Sequence, residues 1–282
     1  MKRILTVQDI SCVGKCSLTV ALPVISAMGV ECSVLPTAVL STHTAFKNFS
    51  CRDLTDEISP ITEVFEKEGI TFDCVYTGYL ASKRQLSLVC GLAEKFGGSM
   101  LFVDPAMGDF GRLYTGFTHD FPREMASLCK TADIIVPNLT EACALLGIPY
   151  SEDFSDGEIR DIAKRLCHMG AKNAVITGYS TSENNLGVLK YDSTSDTFFS
   201  HLSERVRTKR PCHGTGDLFS SVCVGALMRG LSVDDSVSLA ADFTAECVRH
   251  TENSPDSRWY GVNFEDMTET LLSMIKEKSI NA

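Results

Sequence analysis

Cys212-His213-Gly214-Thr215-Gly216-Asp217-Leu218-Phe219-Ser220-Ser221 sets two glycines around one threonine and then starts an apolar helical pattern at once, through Leu218, Phe219, Val222, Cys223, Ala226 and Leu227. Such a turn leads into a helix start, where the first backbone N–H groups have no partner inside the helix. Those groups and the positive end of the helix dipole favour an anion, and phosphate oxygens suit them. Asp217 falls in the first turn, beside that anion site. A carboxylate there is placed to take a proton from a hydroxyl while the amides hold charge developing on a transferring phosphoryl group. The plainer reading is a helix start at which Asp217 only caps or offsets the dipole. The rest of the chain decides between the two.

Working outward, strand-like runs near 3–7, 33–39, 73–77, 100–104, 132–136, 173–177 and 186–191, with a hairpin partner near 197–201, alternate with helical patterns over 15–29, 54–68, 83–96, 138–147, 156–169, 215–229, 233–250 and 264–278. That alternation predicts βαβ units around a mostly parallel sheet, an α/β fold. No repeat or linker interrupts it, so residues 1–282 read as a single domain. Ligands are expected at the carboxyl ends of the strands.

Composition narrows the function. Net charge is −10, which argues against sequence-independent binding to nucleic acid. No apolar run approaches the ~18 residues that span a bilayer. Twelve cysteines run from Cys12 to Cys247 with no CxxC pair, and the N-terminus carries no secretory pattern. A reducing cytoplasm is the expectation, with most of the thiols as small buried hydrophobes.

The strand ends carry the polar residues. Gln8, Asp9 and Ser11 follow the first strand. Gly14-Lys15-Cys16-Ser17 looks like part of a P-loop, but the first glycine is missing and Cys16 stands where a hydroxyl is required. Ser41-Thr42-His43-Thr44 follows the second strand, where such side chains usually satisfy nearby backbone. At the third, Gly78 permits close approach and Tyr79 is placed to cover a ring. Asp104 and Asp109 share the loop after the fourth strand, a pair suited to magnesium or, more simply, to a turn. After the fifth, Asn138 and Glu141 fit a capping box and equally a metal's water shell. Thr177-Gly178 ends the sixth.

In this order and spacing, the segments Ile4–Gln8, Ser41–Thr44, Thr77–Leu80, Asp104–Asp109, Pro137–Ala142 and Gly214–Asp217 resemble the pyridoxal/pyridoxamine kinases of the ribokinase-like superfamily, from Ile4 to about Arg249. The resemblance implies a three-layer α/β/α sandwich with a central, mostly parallel sheet. It implies ATP with Mg2+ as phosphoryl donor, with a monovalent cation as an optional further ion, and the 5′-hydroxymethyl of pyridoxal, pyridoxamine or pyridoxine as acceptor. Asp217 would be the base, and Gly214, Thr215 and Gly216 the anion hole. Asp104, Asp109, Asn138, Glu141 and Thr177 would serve ATP, with Asp104 and Glu141 at the metal. Gln8, Asp9, Ser11, Thr44 and Tyr79 would lie on the substrate side. Members of that family are commonly homodimers.

Two features depart from that pattern. Asp9 stands where these kinases usually place a serine, and a carboxylate there is expected to favour a protonated pyridine nitrogen or the amine of pyridoxamine. Cys212, near a helix start, is expected either to pack or to present a thiolate to an aldehyde. The rival readings are a hydroxymethylpyrimidine kinase of thiamine synthesis on the same fold and a non-catalytic B6-binding regulatory protein.

Overall fold

Strands that are apolar on both faces need cover on both faces, and this chain supplies it with two sets of helices. The computed structural model describes residues 1–96 and 98–281. In chain order its elements are β1 (Arg3–Val13), α1 (Leu18–Ala27), β2 (Glu31–Thr42), β3 (Cys51–Asp53), α2 (Thr55–Lys67), β4 (Cys74–Thr77), α3 (Lys83–Val89), α4 (Leu92–Lys95), β5 (Met100–Val103), β6 (Gly108–Asp109), β7 (Arg112–Leu113), α5 (Phe121–Cys129), β8 (Ile134–Ile135), α6 (Leu139–Leu146), α7 (Asp156–His168), β9 (Asn173–Tyr179), β10 (Asn185–Asp192), β11 (Thr197–Glu204), α8 (Thr215–Met228), α9 (Val233–Asn253) and α10 (Thr268–Asn281).

Among the described residues the main sheet runs β11-β10-β9-β8-β5-β4-β1-β2-β3. The pairs from β9 across to β2 are parallel. The edge strands β10, β11 and β3 are antiparallel to their neighbours. Alternation along β1 splits the core. Leu5 and Val7 face one layer with Ile58, Met125, Ile159 and Leu166. Ile4 faces the other, with Val20, Ile25, Leu218, Val222 and Val237. The result is the three-layer α/β/α arrangement that the resemblance implies.

Boundaries shifted where local signals misled. The helix expected over 83–96 is two, because Cys90 leaves the helical region and Gly91 takes φ 89°. The helix α5 was not anticipated; Pro122 looks like a breaker, yet it sits in the first turn, where no N–H is needed. The strand expected over 132–136 shrinks to Ile134–Ile135.

Most relevant to function, β1 and β2 run on to Val13 and Thr42, well past the point at which β1 leaves β4. Their register shifts between the pairs Gln8–Pro36 and Ile10–Val39, so Thr37 and Ala38 of β2 stand opposite Asp9 and the bulge is on β2. Bulges re-aim side chains and are frequent next to binding sites. The overhanging pair, with β3 on its edge, stands over the carboxyl ends of the central strands.

Candidate active site

The glycine turn is confirmed as the start of α8, and no side chain caps it. Gly214 is left-handed at φ 79°, and a Cβ there would lie 1.8 Å from the Lys15 carbonyl oxygen. Only glycine permits this approach of the β1–α1 loop to the helix start. A Cβ on Gly216 would meet nothing within 4 Å, so that side of the turn is open. Lys15 does not act as a P-loop lysine: its Nζ donates to Asn263 Oδ1 at 2.7 Å and Glu265 Oε2 at 2.9 Å.

Asp9 and Asp104 lie near enough to Asp217 for their charges to act on it, and Glu141 lies near enough to Asp104 to do the same. Asp9, Asp104 and Glu141 are buried and Asp217 is half-buried. Desolvation, then the charges of Asp104 and Asp9, pushes the Asp217 carboxyl up to about 8. Burial pushes Asp104 up to about 6 and raises Asp9, although Ser17 and Ser11 donate to the latter. Burial and then Asp104 raise Glu141 far above the usual carboxylate range. Among the described residues none of the four has a cationic partner. Uncompensated buried carboxylates are costly, and a bound cation relieves them.

Asn138 caps α6 in a complete capping box with Glu141. Glu141 also accepts the amides of Met107 at 3.0 Å and Gly108 at 3.4 Å, while Asn138 Nδ2 donates to the Gly108 carbonyl at 2.8 Å. The structural role of this pair therefore holds, and it ties the 107–109 loop to the helix start. We expect Asn138→Ala to cost about 1–2 kcal/mol, read as a lower midpoint in urea unfolding. Thr177 is half-buried and bridges to Asn138. Asp104 accepts from Ser220 at 2.8 Å. Asp109 is exposed, its carboxylate near enough to His213 to feel its charge. Tyr114, which sequence reasoning missed, feels the charges of Glu141, Asp109, Asp104 and Asp217 and so lines the same cleft. Among the described residues no three His, Cys, Asp or Glu side chains gather closely enough to hold a metal unaided. Asp104 and Glu141 suit magnesium, which usually takes one or two carboxylates and completes its shell with phosphates and water.

On the other side, Gln8 is fully enclosed, its Nε2 donating to Thr6 at 2.6 Å and its amide packed against Gly78. Asp9 accepts from Ser17 at 2.6 Å and Ser11 at 3.4 Å. Tyr79 is half-buried, feels the charge of Asp9 and packs on Phe117. Thr44 is exposed. Its neighbour His43 turns inward instead, Nε2 to the Tyr260 carbonyl at 3.0 Å and Nδ1 to the Ala45 amide at 3.2 Å. A carbonyl only accepts, so Nε2 carries the proton and the ring is neutral, consistent with burial lowering its pKa. His43, Phe46, His213 and Trp259 form an aromatic cluster with centroids 4.5–6.5 Å apart. No local signal reveals that cluster, because its members lie on three distant segments.

Of the two readings of Cys212, packing is the one its surroundings favour: burial and the negative Glu252 push it away from the thiolate. Beyond it, Asn184, Arg205, Arg207 and Arg249 line a cavity of about 360 Å³ beside the segment that leads from β11 into α8. No helix among the described residues is long and apolar enough to cross a membrane.

Known proteins share this fold. A Bacteroides thetaiotaomicron protein provisionally named phosphomethylpyrimidine kinase is 37% identical, with a TM-score of 0.90 over 96% of this chain and 93% of its own. A second crystal form of it contains pyridoxal. The pyridoxal kinase of Lactobacillus plantarum is 30% identical, with a TM-score of 0.88 over 98% and 99%. The pyridoxal kinase PdxY of Aliivibrio fischeri is 27% identical over 84% of each chain. The chain spans about half the length of several curated relatives named for thiamine biosynthesis or hydroxymethylpyrimidine phosphorylation. The family profile described as phosphomethylpyrimidine kinase matches residues 22–258. With most of its length matched by that profile, and with the same three-layer sheet as these kinases, the chain belongs to the phosphomethylpyrimidine kinase family.

Proposed function

We propose that the protein is an ATP-dependent kinase that phosphorylates the 5′-hydroxymethyl group of pyridoxal, pyridoxamine or pyridoxine. The observation that carries kinase chemistry is the juxtaposition of an uncapped helix start with four uncompensated carboxylates. Such a site calls for a ligand that brings phosphate and cation together, as a metal–nucleotide does.

In this reading Asp217 accepts the proton of the substrate hydroxyl, and the amides of Thr215 and Gly216 face the transferring phosphoryl group. The open side of Gly216 leaves room for it. Asp104 and Glu141 would hold magnesium through its waters and the nucleotide phosphates, and the ion would neutralise charge on the transferring group. Asn138 and Glu141 keep the 107–109 loop in place beneath it. Thr177 borders the nucleotide, and the cavity beside Arg205, Arg207 and Arg249 accommodates its base and ribose. Asp9 and Tyr79 face the acceptor ring.

The second reading is hydroxymethylpyrimidine phosphorylation, favoured by the family profile and by the curated thiamine-pathway relatives. A side-by-side ADP-release panel with Mg-ATP, the three B6 vitamers and hydroxymethylpyrimidine separates the two by rate. No ADP release with any of the four would sink the kinase reading and leave a binding protein. Within that panel, Asp9→Ser is expected to shift the pyridoxamine-to-pyridoxal ratio of kcat/KM towards pyridoxal by about tenfold, the worth of one charged hydrogen bond. An unchanged ratio removes Asp9 from cation recognition.

A further inference from the structure

The overhanging ends of β1 and β2 form a flap whose tip is His43, its N–H donating to the Val13 carbonyl at 3.3 Å. A two-stranded overhang is marginally stable by itself, and β3 pairs only with Ala38–Leu40 of its edge. The tip is nevertheless fastened. His43 is buried, and a Cβ on Gly14 would lie 2.7 Å from its ring. Its Nε2 donates to the Tyr260 carbonyl at 3.0 Å, and its Nδ1 accepts from the Ala45 amide at 3.2 Å. Phe46, on the same tip, packs on Trp259 and Tyr260 with centroids 4.5 and 5.7 Å apart.

The segment that receives the tip is itself bonded to the glycine turn. The Val262 amide donates to the His213 carbonyl at 3.0 Å, one residue before Gly214. Gly261 lies on the Lys15 stem, and Lys15 Nζ donates to Asn263 at 2.7 Å. Residues 259–263 therefore meet the end of the flap on one side and the start of the glycine turn on the other.

We propose that residues 259–263 are a strap that sets the width of the cleft, and that His43 is the positioning residue that fastens the flap to it. The flap carries Asp9 and Ser11, and the turn carries Gly214 and leads to Asp217. The strap holds these two sides at a fixed spacing. Its effect on rate rests on the proposed kinase reading, in which acceptor and phosphoryl group come from opposite sides and a misplacement of about 1 Å can cost 10²-fold.

Two substitutions of His43 separate this role from packing, because both remove the ring. His43→Gln sets an amide nitrogen where Nε2 stood and keeps the donor to Tyr260. His43→Asn sets an oxygen where Nδ1 stood, so it keeps the Ala45 bond and loses the strap. Tm should fall by a similar amount in both, about 2–4 °C. Trp259 is the only tryptophan, 44% exposed, and reports the tip directly. Acrylamide quenching of its fluorescence should rise about twofold in His43→Asn, as the rings packed on it leave, and stay near wild type in His43→Gln. In the same variant kcat should fall about tenfold and the acceptor KM rise, with KM for ATP within about twofold, whereas His43→Gln keeps kcat within about threefold. Equal kcat losses in the two variants would make His43 ordinary packing and overturn the inference. Unchanged quenching or normal kcat in His43→Asn would overturn it too. A wild-type protein inactive on every heterocycle would remove the proposed function by itself. Quenching and a crystal structure of His43→Asn would still decide the strap: a flap tip in its wild-type place rejects it.

Discussion

Asp217→Asn is expected to lower kcat by about 10² or more while nucleotide affinity stays within about threefold. The amide keeps the size of the side chain and cannot accept the proton, so the loss isolates proton transfer. Single-turnover rates and calorimetric titration with a non-hydrolysable ATP analogue check the two halves. Undiminished turnover would remove Asp217 from the base role.

The same substitution should stabilise the ligand-free protein, with a definite pH dependence. The folded-state value of about 8 lies above that of an unfolded carboxylate. Folding therefore favours the proton on Asp217. Its contribution is complete below the unfolded value and is lost as pH rises through about 8. The amide carries no such loss, so the Tm of Asp217→Asn should exceed that of wild type by about 2–5 °C at pH 9 and converge with it near pH 4. A gap that is constant across this range would show that Asp217 is ordinarily ionised in the free protein. Lower activity with higher stability is the signature of a site that holds charge for its ligand.

The second large effect belongs to Gly214→Ala. A Cβ would lie 1.8 Å from the Lys15 carbonyl, at a φ of 79° that L-residues resist. Backbone must move, because the atom it meets is not the end of a flexible side chain. Strain and displacement together should cost about 3–4 kcal/mol and lower Tm by roughly 5–10 °C. Because the moving segments carry Ser17 and the α8 amides, kcat should fall by about 10² as well. Gly216→Ala is the control: it meets nothing within 4 Å and lies inside the helix, so its Tm should stay within about 2 °C. Equal thermal losses in both variants would mean that the close approach at Gly214 is not what shapes the turn.

The glycine turn, the acids at the strand ends and the capping box of Asn138 and Glu141 were legible in the chain because each depends on residues within one turn of each other. Other features were not. Whether Asn138 and Glu141 cap, organise a loop or do both became plain only when Met107 and Gly108 were found donating to Glu141. The inward turn of His43 beside an exposed Thr44, and the aromatic cluster with Trp259, likewise depend on contacts across more than 200 residues.

By itself the sequence determined the α/β class, the mostly parallel sheet and the glycine-led start of α8, since hydrophobic period and helix-start chemistry are local properties of the chain. Only the tertiary structure decided that Asp9, Ser17 and Asp217 share one cleft and that Lys15 is held by Asn263 and Glu265. The physical reason is strand order. Placing β1 inside the sheet between β4 and β2, with α1 and α8 packed on the same face, brings the β1–α1 loop onto Gly214, and no short-range pattern encodes that neighbourhood.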